Sequence, residues 1–597
     1  MNPRVLLAAV GYLIVASAVT VTSTLAAEEP PTFHVSERGA DENDGRSEAT
    51  AIRTIGAALE RAAAGDVILV HAGAYAEALT LGKPVALIGE DARTTSVVGT
   101  GDGDVIRIAS EGVSLRGFTV TNSGASYAGP FDGGDAGIRL EQVTGCTITD
   151  CVVTGNAIGI FLNVAHGNVV EGNICHGNAV DGIYVRRSDD NTIERNECHS
   201  NDGHGGIYLN PASSRNLLRG NICHSNADHG IKLQEASDDN VIEDNACDGN
   251  RHTGIFLRTS TGNVLARNSC VANGQPGIYM QSSTRNTLDG NVVSGSSADW
   301  GIVLRDGSHG NTLTSNVVSE NGNGIDLLSS DDNLLLDNTI RSNEHAGLTF
   351  ENSKNNRALY NSVTMNRVGF SIGTHETGGV RVGDLSGNRL YGNAIARNET
   401  AGIDSEAAIE IDATLNWWGD RSGPQHASLN VGGRGDGLRD GVRFDPWMAA
   451  RPALKWTESV DAGTTTRIDA RCEANAEVTI ATNSDGSGRV YLAEFPQNPG
   501  ADLATDATIV GRWIDFATDI AEDGIEWPVT IRLYYSDAEL RAAGVADELL
   551  LRMHRWDWGD GAWLPCSESG VDPRGDFAWA SVREAGTVAL VAPVARR

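Results

Sequence analysis

The chain has 597 residues, 70 of them glycine, 6% aromatic residues and a formal net charge of −32. So negative a field repels the phosphate backbone of nucleic acids, whose binders carry basic faces, and nucleic-acid partners are excluded. Many glycines with few aromatics suit a turn-rich β protein, and the length allows more than one domain.

At the N-terminus, Arg4 precedes an apolar run from Val5 to Val21, followed by the small-residue stretch Thr24–Ala27. This pattern predicts a secretory signal peptide over residues 1–27, with an uncleaved anchor as the alternative. No later segment reaches the ~20 apolar residues of a membrane span. The expected product is a monomer that is secreted, periplasmic or on the cell surface. Thr54 to Leu59 opens a predicted helix over 54–63, which would cap a solenoid whose end otherwise exposes core.

The middle of the chain is periodic. Asn168, Asn173 and Asn178 stand five apart, and the trio returns at Asn191/Asn196/Asn201, Asn216/Asn221/Asn226, Asn240/Asn245/Asn250 and Asn263/Asn268/Asn273. It lapses once, at Ser296, and resumes through Asn388/Asn393/Asn398. Such a period marks a repeat architecture, and five-residue spacing fits a short strand plus a sharp turn. Alternation along each strand sends Val170, Ile193, Leu218 and Ile242 inward, and likewise Ile183, Ile207, Ile231 and Ile255, each after a glycine. The asparagines are expected at corners, tolerating left-handed backbone and bonding along their column. The glycines are expected where the chain turns tightly into the third strand. This is an all-β parallel solenoid over 33–448, with repeats at about 105–403.

Cys175, Cys198, Cys223, Cys247 and Cys270 share one inward column that continues as Val293, Val318 and Ile340, so the site wants a small apolar side chain. Cys146 and Cys151 fall in one early coil and belong to the core. Cys472 and Cys566 lie beyond the repeats, where an exported protein is expected to pair them. From residue 451 to 597 the text changes to separate strand patterns at Val478–Ala481, Val529–Tyr535 and Val588–Val591, with a short helix in Ser536–Ala543. A β-sandwich accessory domain is predicted. Trp556, Trp558 and Trp563 cluster there and are expected mainly in its core.

The Asn-Asn-Gly-Ile units resemble PbH1 repeats of right-handed parallel β-helix proteins, the pectin-lyase-like superfamily, and most closely the NosD-like group. The segments Val35–Gly39, Gly65–Val70 and Gly73–Tyr75 resemble the entry of secreted β-helix carbohydrate-active enzymes. Asn416-Trp417-Trp418-Gly419 with Ser422-Gly423-Pro424 resembles the closing motif of such helices. The resemblance implies a substrate groove along the Gly-Ile-x-Leu strand. It does not extend to a catalytic signature: the Asp-Pro-His-Asp stretch of alginate epimerases and the paired aspartates of polygalacturonases are missing from the sequence.

Outward positions on that strand read Arg139, Phe161, Tyr184, Tyr208, Lys232, Phe256, Tyr279, Val303 and Asp326, then Arg186, Asn210, Gln234, Arg258 and Arg305 in the next column. His204, Asp228, His229, His252 and Trp300 stand just before it. Aromatic faces with forked donors suit a sugar chain carrying carboxylates, and outward rings stacked only on each other are the bland alternative. Removing a proton beside a carboxylate needs a cation and a base of tuned pKa. The candidate catalytic set is Lys232 or His229 as base, Arg258 or Arg186 as clamp and Tyr208 as proton donor. Tyr184, Arg186, Phe256, Tyr279, Gln234, Asn210 and Arg305 would bind substrate. The reaction would be a polysaccharide lyase or C5-epimerase type, with no cofactor required.

His176, His199 and His224 form another outward column that could take Cu²⁺ or Zn²⁺. Asp-Asp pairs at Ser188–Asn191, Ser237–Asn240 and Ser330–Asn333 could hold Ca²⁺, or cap turns. Two insertions, 122–136 and 373–387, break the period beside the groove strand. The alternative to a polysaccharide-acting protein is a non-catalytic NosD-like scaffold that handles copper or another metal.

Overall fold

The computed structural model describes residues 32–593 apart from 130–132, 297–299, 374–375, 378–379, 382–383, 407–409, 485, 496–506, 521 and 558–561. The predicted signal peptide, Trp558 and part of the 373–387 insertion lie outside the described residues. A helix at Ile55–Arg61 buries Ile55 and Ala58 over the first coil. Thr54 Oγ1 accepts the amide of Ala57, and Glu77 accepts those of Ile55 and Gly56, so the helix's free N–H groups are satisfied.

Beyond it the chain winds as a right-handed parallel β-helix. Among the described residues, the sheet of Gly-Ile-x-Leu strands has fourteen strands, a second sheet has seventeen, and the third side is split into seven and six. The core is one continuous stack that includes the Ile183–Ile207–Ile231–Ile255 column and the five-cysteine column, every member of both fully buried. All nine cysteines are free; Cys472 is exposed and Cys566 half-buried, so the expected disulfide is not formed.

The asparagine columns are hydrogen-bonded ladders. Along one, side-chain amides link Asn173 to Asn196, Asn221, Asn245, Asn268, Asn291, Asn316, Asn338, Asn361, Asn393 and Asn416 at 2.9–3.1 Å without a break. The closing-motif Asn416 is thus the ladder's last rung, and Trp418 beside it is fully buried. Each Oδ1 accepts both the backbone N–H and the amide of the preceding rung, as Asn221 does for Asn196.

Two expectations about the corners need correction. The left-handed residue is the one before each ladder asparagine, such as Asp190, Arg195 or Ser200, each with φ between 55° and 59° or at 53° for Arg195. The asparagine stays in ordinary backbone so that its amide can reach along the stack. The glycines of the third strand do not supply a positive φ either. A Cβ on Gly230 would lie 2.6 Å from the carbonyl of Gly254 and 2.9 Å from both Asn250 Nδ2 and Cys247 Cβ. They are there for close approach.

After Val442–Arg443 the structure becomes two antiparallel sheets of six and five strands that enclose a second core, as in a sandwich. Its predicted helix is Asp537–Ala542, begun by a capping box of Ser536 and Glu539. Trp556 is 7% exposed and belongs inside. The sandwich lies against the seventeen-stranded sheet, where Leu334, Leu336, Leu359, Tyr360 and Tyr391 meet Tyr491, Phe495 and Ala517. Tyr360 donates to the buried carboxylate of Asp515, and Arg489 makes a two-pronged pair with Asp289 (2.7 Å at Nη1).

Candidate functional site

The outward residues of the Gly-Ile-x-Leu strands stand in register. Tyr184 pairs with Tyr208, Tyr208 with Lys232, Lys232 with Phe256, and Phe256 with Tyr279, while Ile183 and its equivalents point inward. The column is therefore a single file on one flank of the coil.

Its first three aromatics turn their faces to each other, not to solvent. The rings of Phe161 and Tyr184 stack at 4.9 Å and 6°, those of Tyr184 and Tyr208 at 5.2 Å and 12°. Described residues of the insertion before residue 136 lie over them. Tyr127 packs on the cluster, and Gly133 sits so close to Phe161 that a Cβ would be 2.6 Å from its ring. Tyr184 and Tyr208 are consequently 0% and 1% exposed, which closes them as sugar platforms. Burial pushes both phenols well above their ordinary range, so they stay protonated. Tyr208 donates to Gln234 Oε1 at 2.8 Å, and Asn210 is buried as well.

Charged groups gather at the next two rungs. Asp228 is the hub. Lys232 Nζ lies 3.4 Å from Oδ2, His229 Nε2 3.3 Å from Oδ1, and His252 Nδ1 makes a short contact with Oδ1. Lys232 sits between the rings of Tyr208 and Phe256, 5.4 and 5.8 Å from their centroids. Burial lowers its pKa, while Asp228 and Asp181 oppose the fall.

His229 differs from its predicted role as base. Its ring stacks on Phe256 at 4.8 Å, and burial, reinforced by Lys232, pushes its pKa down to about 3 against the pull of Asp228. Its Nδ1 accepts the backbone N–H of Thr253 at 3.3 Å, which places the ring proton on Nε2, toward Asp228. Both nitrogens are engaged, so this imidazole has no lone pair to offer a substrate. His252 does. Its side chain is 42% exposed, its Nδ1 is anchored on Asp228, and its Nε2 makes no hydrogen bond to the described residues. The pairing of Asp228 with His252 escapes a reading strand by strand, because the two stand on successive coils, 24 residues apart. Asp181 and His204 repeat it one coil apart, at 3.4 Å, with Asp181 also accepting the amide of Gly205.

Asp228, His229 and His252 bring three ligand atoms within 4.8 Å of one another, the one such group among the described residues. The Thr253 amide on His229 Nδ1 and the ammonium on Asp228 are wrong for a cation cage, because metal ligation at Nε2 would put an N–H against an N–H. The donor set fits a proton network instead.

Around this centre Arg258 is half-exposed and 3.8 Å from Glu235, and Arg186 donates to Asn163 at 2.7 Å. Arg305 lies 5.4 Å from the Trp300 ring. On the coil after Arg305, burial raises the pKa of Asp326 to about 7 against the influence of Arg305. Asp181, Asp228 and Glu235 offset much of the positive charge read from the strand columns, so the flank is nearly balanced with exposed cations at its edge.

His176, His199 and His224 stack face to face at 4.9 and 5.0 Å, tilted by 5° and 9°. Nitrogen lone pairs lie in the ring plane, so stacked rings aim them side by side and not at one point. His224 also lies 3.3 Å from Glu197. At the Asp-Asp corners, Asp189, Asp238 and Asp331 accept the backbone N–H of Ser214, Thr261 and Lys354 on the following coil. They cap turns, across coils rather than within one.

Residues 136–273 and 248–378 match the family model described as the right handed beta helix region. Among solved structures, the chain is similar to the A-module of the mannuronan C-5 epimerase AlgE4 of Azotobacter vinelandii, with 17% identity over 46% of this chain and 86% of that one, at a TM-score of 0.37. It is also similar to the periplasmic alginate epimerase AlgG (18%, 46% and 76%, TM-score 0.32) and to the pectin methylesterase PemA of Erwinia chrysanthemi (14%, 38% and 81%, TM-score 0.28). No curated protein matches the sequence. What the flank does rests on its own side chains.

Proposed function

We propose that this right-handed β-helix protein, exported through residues 1–27, binds a linear polysaccharide along the Gly-Ile-x-Leu flank and transfers a proton at His252 beside the Lys232 ammonium, with uronate-containing polymers as the substrate class. The observation that carries the reading is the Lys232–Asp228–His252 network, a cation 8% exposed between two rings and an anchored imidazole that is half-exposed beside it. Coils repeat at about the length of one sugar residue, so a polymer can run along the file.

Lys232 and Arg258 neutralise the sugar carboxylate, which lowers the cost of the anion formed when the adjacent carbon loses its proton. His252 Nε2 takes that proton, and Asp228 on Nδ1 holds the ring and stabilises the imidazolium. In elimination, the C–H pair becomes the new double bond, the glycosidic C–O bond breaks, and the leaving oxygen takes its proton from the His252 imidazolium. In epimerisation, water protonates the carbanion on the face opposite His252. Tyr208, buried and donating to Gln234, orders the network and does not reach the leaving oxygen.

The test is incubation with alginate and polygalacturonate, reading new absorbance of unsaturated ends and, by NMR, inverted C5 centres. His252→Ala and Lys232→Ala are expected to lower the rate by ~10²-fold or more with unchanged circular dichroism. A parent inactive in both assays and unable to bind either polymer would sink the proposal.

A further inference from the structure

The outer face of the five-stranded sheet carries groups that the β-helix flank does not explain. Trp579 is 36% exposed on the strand Phe577–Val582. Its cross-strand partner on one side is Gly570, and a Cβ there would lie 2.8 Å from the indole Nε1 and 3.0 Å from Cε2. The ring therefore lies over a glycine, with one face on the backbone and the other toward solvent. On the other side its partner is Arg532.

Arg532 stacks over Phe577, 5.1 Å from its centroid, and pairs with Glu477; Arg467 pairs with the same carboxylate from the next strand. The Glu477 side chain is fully buried, and Tyr534 also donates to it at 3.3 Å. Two guanidiniums share this one carboxylate, with Arg532 one strand from the indole; Glu568 and Asp572 stand on the strand at its other side. Arg471 lies over Tyr534 at 5.6 Å, with its charge met by Asp469. Asp572, at the rim, accepts the amide of Arg574.

A flat, backed aromatic face one strand from a forked cation has the chemistry of a pyranose bearing a carboxylate: the sugar ring on the indole, the carboxylate toward Arg532 and Arg467. We propose that this face is a second, non-catalytic binding site for a uronate chain, which tethers polymer while the β-helix flank works on it. Two linked sites raise avidity without new contacts at either. The proposal takes its ligand class from the function proposed above and otherwise stands on the sandwich alone.

Native electrophoresis of the full chain through gels containing polygalacturonate, alginate or dextran tests it. The parent should be retarded by a polyuronate and not by dextran. Trp579→Ala and Gly570→Val, which lifts the ring without deleting it, should each weaken retardation by roughly tenfold. Gly570→Val also guards against loss of fold, read from an unchanged melting profile. Parent-like retardation of both variants overturns the second site. If Lys232→Ala binds as the parent does and is also fully active, the β-helix reading falls while the platform stands. Equal retardation in dextran overturns the role given to the arginines, and a parent retarded by no gel overturns both proposals.

Discussion

The corner columns and the flank column are built from the same repeat and obey opposite rules. At the corners one residue type recurs coil after coil, and each asparagine is held by its copies above and below. On the flank the residue changes at almost every coil: Phe161, Tyr184, Tyr208, Lys232, Phe256, Tyr279, Val303, Asp326. A column that repeats does so because the stacked coil demands the same bond at each level. A column that varies is free of that demand, and its differences can carry chemistry.

Asn221→Ala tests this most severely. It deletes the acceptor of the Asn196 backbone and side-chain amides and the donor to Ile193 O, all at 2.8–3.1 Å in the interior. Leaving the Asn196 N–H buried and unmet should cost about 3–5 kcal/mol in total, seen as a large fall in the urea midpoint. A loss under about 1 kcal/mol would mean the ladder decorates the coil and does not hold it. Gly230→Ala comes next. Its Cβ meets backbone and a cysteine that cannot swing away, so overpacking should cost about 1–3 kcal/mol.

The third test lies where the two rules meet. His229 is in the flank network but fully sequestered, so it acts on stability through its protonation. Its folded pKa, about 3, lies below the ordinary imidazole value of 6.5. Between these values the unfolded chain binds a proton that the folded one refuses, so stability falls as pH drops from about 6.5 toward 3 and is fully present above it. His229→Gln, which keeps an acceptor for Thr253, should remove up to one proton's worth of this slope, about 1.4 kcal/mol per pH unit. Denaturation midpoints at pH 4, 5 and 7 read it directly, and parallel parent and variant profiles would mean the imidazole is charged in the fold.

The sequence announced the coil because its period is long, its corners are asparagine and its inner columns are apolar. Register then followed, which is why Lys232 could be placed between Tyr208 and Phe256. Three things were not legible. Ring orientation depends on the neighbouring ring, so Tyr184 and Tyr208 looked available when each covers the other. The insertion over Phe161 has no period to align it. The Asp228–His252 contact joins turn residues of different coils, so it appears only when turns, as well as strands, are laid over one another. The same limit hid Trp579, whose exposure depends on a glycine on the adjacent strand.

Arg258 gives the smallest stability effect and the sharpest separation of the two rules. Its side chain is half-exposed, and its one ion-pair partner among the described residues, Glu235, is 3.8 Å away. An exposed pair at that distance is worth little, so Arg258→Ala should move the unfolding midpoint by no more than about 0.5 kcal/mol. Its loss should nevertheless weaken polyuronate binding by roughly tenfold, because a guanidinium fork on a carboxylate is a strong, directional contact. Arg258→Lys should restore charge but only part of the affinity, since an ammonium cannot make the two-pronged bond. If the alanine variant unfolded early and bound normally, the flank column would be structural like the corners, and the chemistry would have to lie elsewhere on the coil.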